Sequence, residues 1–176
     1  MSVKWAFGSI GLARRVSQWL ELGEMAQSPF DQPYRGGFAG REHHFALSVY
    51  FEDTDAAGIV YYANYLRFME RARSDMIRAV GVDQVAELGA SGSAYVVVSV
   101  DIRYRRPARL GDDLVVVSTV EAVRASSVDI HQRVMRGGEV MTDARVTAAF
   151  IDGGGRPRRQ PRQWVDKFRE VSTAVA

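Results

Sequence analysis

The chain has no cysteine among its 176 residues, which excludes thiol nucleophiles, zinc–thiolate sites and disulfides and agrees with a reducing compartment. Histidine is nearly as scarce, with three residues. His43 and His44 are neighbours that point apart on a strand and His131 stands alone, so they form no metal-ligand set and read as solvated or locally bonded. No apolar run reaches the roughly 20 residues that a membrane span needs. Charge of one sign is missing too: 23 Lys and Arg against 21 Asp and Glu leave a net +2, too little to argue for a nucleic-acid partner.

What the chain does have is 47% hydrophobic residues, enough for one domain to bury a core without metal or disulfide staples. Residues 1–40 differ from the rest: Pro29, Pro33, Gly36, Gly37 and Gly40 mark an irregular lead, and the domain is expected to span 41–176. Within the extension Leu12, Val16, Trp19, Leu20 and Gly23 share helical spacing opposite Arg14, Arg15, Gln18 and Glu21. Three readings stand side by side: a short amphipathic helix that meets a membrane surface or a partner, a partly disordered tail, and a true start at Met25. A signal peptide is not among them, because Glu21 and Glu24 interrupt any apolar core.

From His44 to Phe51 the pattern predicts a strand, and Tyr65, Leu66, Met69, Ala72, Met76, Ile77 and Val80 predict one long helix over 63–80, ended by Gly81. A short helix is expected between Val82 and Gly89. From Ala94 the period changes to two: Val98, Val100, Ile102 and Tyr104 alternate with polar residues, predicting a strand with one buried and one wet face. Strands over 114–123, 127–136 and 139–151 follow, the last two joined at Gly137-Gly138. Trp164, Phe168 and Val171 after Pro161 predict a closing helix. The sum is an α+β fold, a long helix covered by an antiparallel sheet.

The densest chemistry lies in Tyr50-Phe-Glu-Asp-Thr-Asp-Ala-Ala-Gly-Ile-Val-Tyr-Tyr-Ala-Asn-Tyr65, where carboxylates lead through Gly58 into a helix. Backbone N–H groups at a helix start carry partial positive charge and can polarise a carbonyl oxygen, so Asp55 and the helix N-terminus can share one substrate group, as an acyl-transfer site requires. In an extended segment Asp53 and Asp55 point the same way, which also fits a magnesium pair; the plain alternative is a turn whose carboxylates cap backbone donors. An aspartate-based phosphatase needs alternating helices and a parallel sheet, which this pattern lacks. Gly89-Ala-Ser-Gly-Ser93 misses a serine nucleophile elbow by one position, and Gly153-Gly-Gly155 lacks the Lys-Ser/Thr ending of a phosphate loop. Arg156, Arg158, Arg159 and Arg162 form a basic cluster, read either as solvated surface or as a phosphate or membrane contact.

Two blocks carry a family resemblance. Tyr50-x-x-Asp-Thr-Asp-x-x-Gly-x-Val-Tyr-Tyr-x-x-Tyr65, followed by Glu70-Arg-Ala-Arg73, and Tyr104-Arg-Arg-Pro-Ala-Arg-Leu-Gly-Asp112 resemble the hot-dog-fold acyl-CoA thioesterases, in the branch of 4-hydroxybenzoyl-CoA thioesterase and the Tol-Pal-associated thioesterases. The resemblance covers about Phe45 to Ile151. It implies an acyl-CoA thioesterase with a hot-dog fold, with Asp55 as nucleophile or general base and the backbone N–H of Tyr62 polarising the carbonyl. Some Tol-Pal relatives carry histidine where Tyr62 stands. Gly58, Tyr61, Tyr65 and Arg124 are implied as substrate contacts, Arg124 toward the nucleotide end of coenzyme A.

The resemblance further implies a homodimer or homotetramer, because family sites lie between subunits. It implies no metal and no cofactor, coenzyme A being part of the substrate, and a cytoplasmic enzyme or one peripheral at the inner membrane. The alternative is a non-catalytic module binding acyl-CoA or an acyl carrier protein in an envelope-associated assembly. A hot-dog dehydratase would need an Asp and His pair, and no histidine is expected to serve.

Overall fold

A computed structural model describes residues 32–173; the amphipathic-helix and Met25 readings lie outside them. Six strands form one antiparallel sheet: β1 Gly37–Ala39, β2 Glu42–Ser48, β3 Ala94–Tyr104, β4 Asp113–Val123, β5 Ser127–Arg136 and β6 Glu139–Ile151, in the order β1-β2-β4-β5-β6-β3. Among the described residues three α-helices accompany it: α1 Tyr62–Ala79, α2 Gln84–Ser91 and α3 Arg162–Val171. The architecture is α+β. The sheet includes β1, ahead of Arg41, and β2 ends at Ser48; Val49 and Tyr50 leave the ladder and Phe51–Asp53 turn into a 3-10 helix, so the expected strand to Phe51 stops short.

The core explains why α1 lies where it does. Tyr65, Phe68, Met69, Ala72 and Met76 fall on one stripe and are all buried against β2, β4 and β5. Phe68, absent from the stripe read off the sequence, is completely buried, whereas Leu66 is only half-buried. Full burial of such a side chain contributes roughly 1.5–3 kcal/mol. The helix ends as expected at Gly81, whose φ of +80° is the left-handed conformation of a C-terminal cap.

Polar groups also cross this core. Gln132 on β5 accepts a hydrogen bond from Arg73 Nη1 at 2.6 Å and donates through Nε2 to Met69 O and to Ser118 Oγ at 3.0 and 2.9 Å. Arg73 is held from its other side by Glu70. Nearer β1, the completely buried His43 bonds Asp75 of α1 at 3.1 Å, and the same carboxylate oxygen accepts the N–H of Gly36 at 2.8 Å. His43 is therefore a core residue with a carboxylate partner. Burial holds its pKa below the usual histidine value, against the pull of Asp75.

The expected buried face of β3 is a correction. Tyr95, Val97, Val100, Ile102 and Tyr104 all pair with inward-facing residues of β6, and a bulge at Val98 keeps the apolar residues on that side. Yet Val97, Val98, Val100 and Tyr104 remain exposed, Val98 to 59%. The reason is position: β3 is the sheet edge, and α1 lies over the other strands. The sheet's far end is closed by α3, whose Trp164 and Phe168 pack with Tyr95 and Phe150.

Candidate active site

The segment between β2 and α1 is a tight hairpin. Thr54 bridges Val60, the N–H of Asp55 bonds Ile59 O at 2.9 Å, and the N–H of Gly58 returns to Asp55 O at 3.0 Å. Asp55 Oδ1 accepts the N–H of Ala57 at 2.8 Å, an Asx turn that fixes the carboxylate at the loop tip. Gly58, at φ +70°, supplies the left-handed residue this turn requires.

The two aspartates part company here. The 3-10 turn breaks the extended geometry under which they would act together: Asp53 is buried and its Oδ2 accepts the N–H of Tyr50 at 2.9 Å, while Asp55 is exposed. Among the described residues no group of three or more His, Asp or Glu could hold a metal ion. Both carboxylates thus hold a backbone N–H, Asp53 from a buried position and Asp55, through Oδ1, from an exposed one.

The helix starts immediately after the hairpin. Tyr61 caps α1 without a side-chain hydrogen bond, and its carbonyl accepts the N–H of Asn64 at 2.8 Å. The N–H groups of Tyr62 and Ala63 have no acceptor among the described residues, and no acidic residue occupies the first turn. The positive end of the helix is therefore uncompensated at this point in the chain.

The second sequence block encloses this N-terminus. Tyr104 donates its hydroxyl hydrogen to Tyr62 O at 3.2 Å, Ala108 N–H bonds the Tyr65 hydroxyl oxygen at 2.8 Å, and Val60 N–H bonds Ala108 O at 2.8 Å. Burial pushes the Tyr65 hydroxyl above its ordinary pKa, against the Ala108 N–H, so it stays neutral. A cavity of about 330 Å³ lies here, lined by Ile59, Val60, Tyr62, Tyr65, Tyr104 and Pro107 together with Arg105 and Arg106. The rings of Tyr62 and Tyr65 meet that of Tyr104 edge-on, with centroids 6.3 and 5.8 Å away. It is a mostly apolar space beside unpaired N–H donors, suited to an acyl group with its carbonyl toward the helix.

Tyr62 and Tyr65 thus line the cavity; Asp55, Gly58 and Tyr61 belong to the adjoining hairpin and are exposed. Arg124 is elsewhere. It pairs with Asp129 at 2.5 Å and lines a second cavity of about 410 Å³ with Arg159, Arg162, Arg169 and Gln160. The basic cluster is split accordingly, since Arg158 turns away to bond Ser93 Oγ at 2.6 Å. Two residues at the site were not among the expected site residues: Tyr104, which heads the second block, and Asn64, whose Nδ2 donates to Asp53 O at 2.9 Å. The His43–Asp75 pair is buried in the core and belongs to its packing.

Comparison with known proteins shows the family. The model of the thioesterase-like superfamily matches residues 49–172. The acyl-CoA thioesterase YbgC of Haemophilus influenzae is 39% identical over 128 residues, covering 72% of this chain and 94% of that one. The acyl-CoA thioester hydrolase YbgC of Escherichia coli O6:H1 is 36% identical over 126 residues, covering 70% and 93%. The crystal structure of a probable thioesterase from Bartonella henselae superimposes with a TM-score of 0.65 at 31% identity, covering 68% of this chain and 99% of that one.

Proposed function

Because the chain belongs to the thioesterase-like superfamily, with its hot-dog fold, and is an acyl-CoA thioesterase by its YbgC relatives, we propose that Asp55 and the N-terminus of α1 carry out the hydrolysis. The observation that supports this most is the adjacency of an exposed carboxylate, unpaired helix N–H donors and a mostly apolar cavity within one hairpin and helix start. The acyl group enters among Tyr62, Tyr65 and Tyr104, and its carbonyl oxygen meets the N–H of Tyr62. Asp55 draws a proton from water, whose oxygen bonds the carbonyl carbon, or attacks that carbon directly; the bond to sulfur breaks and coenzyme A leaves as the thiolate, and after direct attack water cleaves the acyl–Asp55 anhydride to release the acid and restore the carboxylate. Gly58 keeps the turn open and Tyr61 flanks it. Arg124, in its arginine-lined groove, meets the anionic nucleotide end. No cofactor takes part in this scheme, and a coenzyme A substrate fits a cytoplasmic site of action.

The enzyme works as a homo-oligomer. Tyr50, Phe51, Tyr61 and Tyr62 around the site and Val97, Val98 and Val100 on the edge strand are exposed large apolar side chains, Phe51 to 81%. Such exposure at an unpaired sheet edge calls for a covering surface, and a second copy supplies it.

Thiol release from a panel of short aliphatic, long aliphatic and aromatic acyl-CoA esters tests the assignment. Asp55→Asn should lower the rate on the order of 10² to 10⁴-fold with the fold intact. Near-native turnover in that variant would remove Asp55 from the chemistry. Tight binding of every ester without hydrolysis would instead favour a binding module or a carrier-protein-linked substrate.

A further inference from the structure

We infer that Asn64 is a positioning residue for this reaction, holding the Asp55 hairpin against the N-terminus of α1 through the main-chain carbonyl of Asp53. The inference rests on the reading of Asp55 given above. Asp53 O accepts two hydrogen bonds, from the N–H of Tyr61 and from Asn64 Nδ2, each at 2.9 Å. The first closes the neck of the hairpin, just outside the Thr54–Val60 bridge that precedes Asp55. The second comes from within the first turn of the helix. One buried oxygen is therefore the joint at which the loop bearing the carboxylate meets the helix bearing the N–H donors.

Asn64 is tied at both ends: its own N–H bonds Tyr61 O at 2.8 Å, and its side chain is buried. The Tyr104 and Ala108 contacts hold the start of α1 from the side of the cavity. The Asn64 amide is the side-chain tie between that first turn and the hairpin itself, and it sets the direction of the Tyr62 N–H relative to Asp55. Asp53 completes the joint from the other side, its carboxylate holding the Tyr50 N–H. Displacement of a reacting group by about 1 Å can cost 10²-fold in rate, so a strut of this kind acts on turnover without touching substrate.

The test is a double-variant cycle on the full chain, with kcat and KM measured on whichever acyl-CoA the wild type hydrolyses best. Asn64→Ala should lower kcat by about 10²-fold with KM largely unchanged and the thermal transition still cooperative. Because Asn64 acts through Asp55, Asn64→Ala combined with Asp55→Asn should be no slower than Asp55→Asn alone. Asn64→Ser, which keeps a shorter donor, should recover part of the rate, and it replaces Asn64→Ala in the cycle if the alanine variant does not fold. Wild-type kcat in Asn64→Ala, or losses that multiply in the double variant, overturns the inference and leaves the Asp55 assignment standing. An active Asp55→Asn variant overturns that assignment first, and the inference with it.

Discussion

Two glycines, one in the site hairpin and one beside the His43–Asp75 pair, are required for opposite reasons. Gly58 sits at φ +70° with open space where a Cβ would go, so its requirement is conformational. Gly36 has no such φ, but a Cβ there would lie 2.3 Å from His44 O and 2.8 Å from His43 Cε1, so its requirement is steric. Gly58→Ala should therefore cost about 1–2 kcal/mol, the penalty of a left-handed L-residue, measurable as a lower urea midpoint at unchanged m. An unchanged midpoint would mean that the turn relaxes into another type. At this scale the sequence was half legible. A carboxylate-rich turn running into a helix is visible in Asp53 to Gly58, but the division of labour between the two aspartates is set by a 3-10 turn that spacing alone does not announce.

The segment that follows β3 is fastened by charge. Asp112 accepts the N–H of Arg109 at 2.8 Å and the guanidinium of Arg136 at 2.8 Å. Burial works against the charged carboxylate here, but the Arg109 N–H and the Arg136 guanidinium outweigh it and hold its pKa below the ordinary aspartate value. The folded state thus binds this proton less tightly than the unfolded chain. The stabilisation is complete above the unfolded pKa of about 4 and is lost as pH falls through the lower, folded value. Asp112→Asn should be less stable than wild type at neutral pH, and the gap should close as a denaturation series is carried into that acid range. A gap independent of pH would locate the contribution in packing.

At the level of elements, periodicity gave α1, β5, β6 and α3 to within a residue or two, because each has one face more buried than the other, and β4 was bounded as closely although its middle is buried on both faces. What it missed were relations between elements. Phe68 lies in the core because β4 and its neighbours lie above it, and His43 is bonded to a residue 32 positions away. Neither is a property of local spacing. The alternation in β3 holds from Val100 to Tyr104 but not at Val98, where a bulge shifts the register, and its exposure was not legible because it follows from the strand's place at the sheet edge.

The homo-oligomer proposed above places its contact at β3. A charge at Val98 should leave the isolated fold intact, because that side chain is exposed at a bulge, yet disrupt that proposed apolar contact. Val98→Lys is expected to shift the species in light scattering from an oligomer to a single chain, with activity falling in parallel. A variant that remains oligomeric would move the interface away from this edge.

The amide of Gln132 has a further consequence. An apolar stripe is nearly indifferent to sliding by one helical turn, since the next turn offers similar surface. Gln132 is not indifferent: it presents its oxygen to Arg73 and its nitrogen to Met69 O and Ser118, and a helix moved along its axis would leave those groups facing nothing. The middle of α1 is in this sense indexed to the sheet. The placement of its N-terminus, where the unpaired N–H groups lie, is accordingly fixed by a contact more than a full turn away from any reacting atom, and drift in the body of the helix would be read out as misaim at its tip.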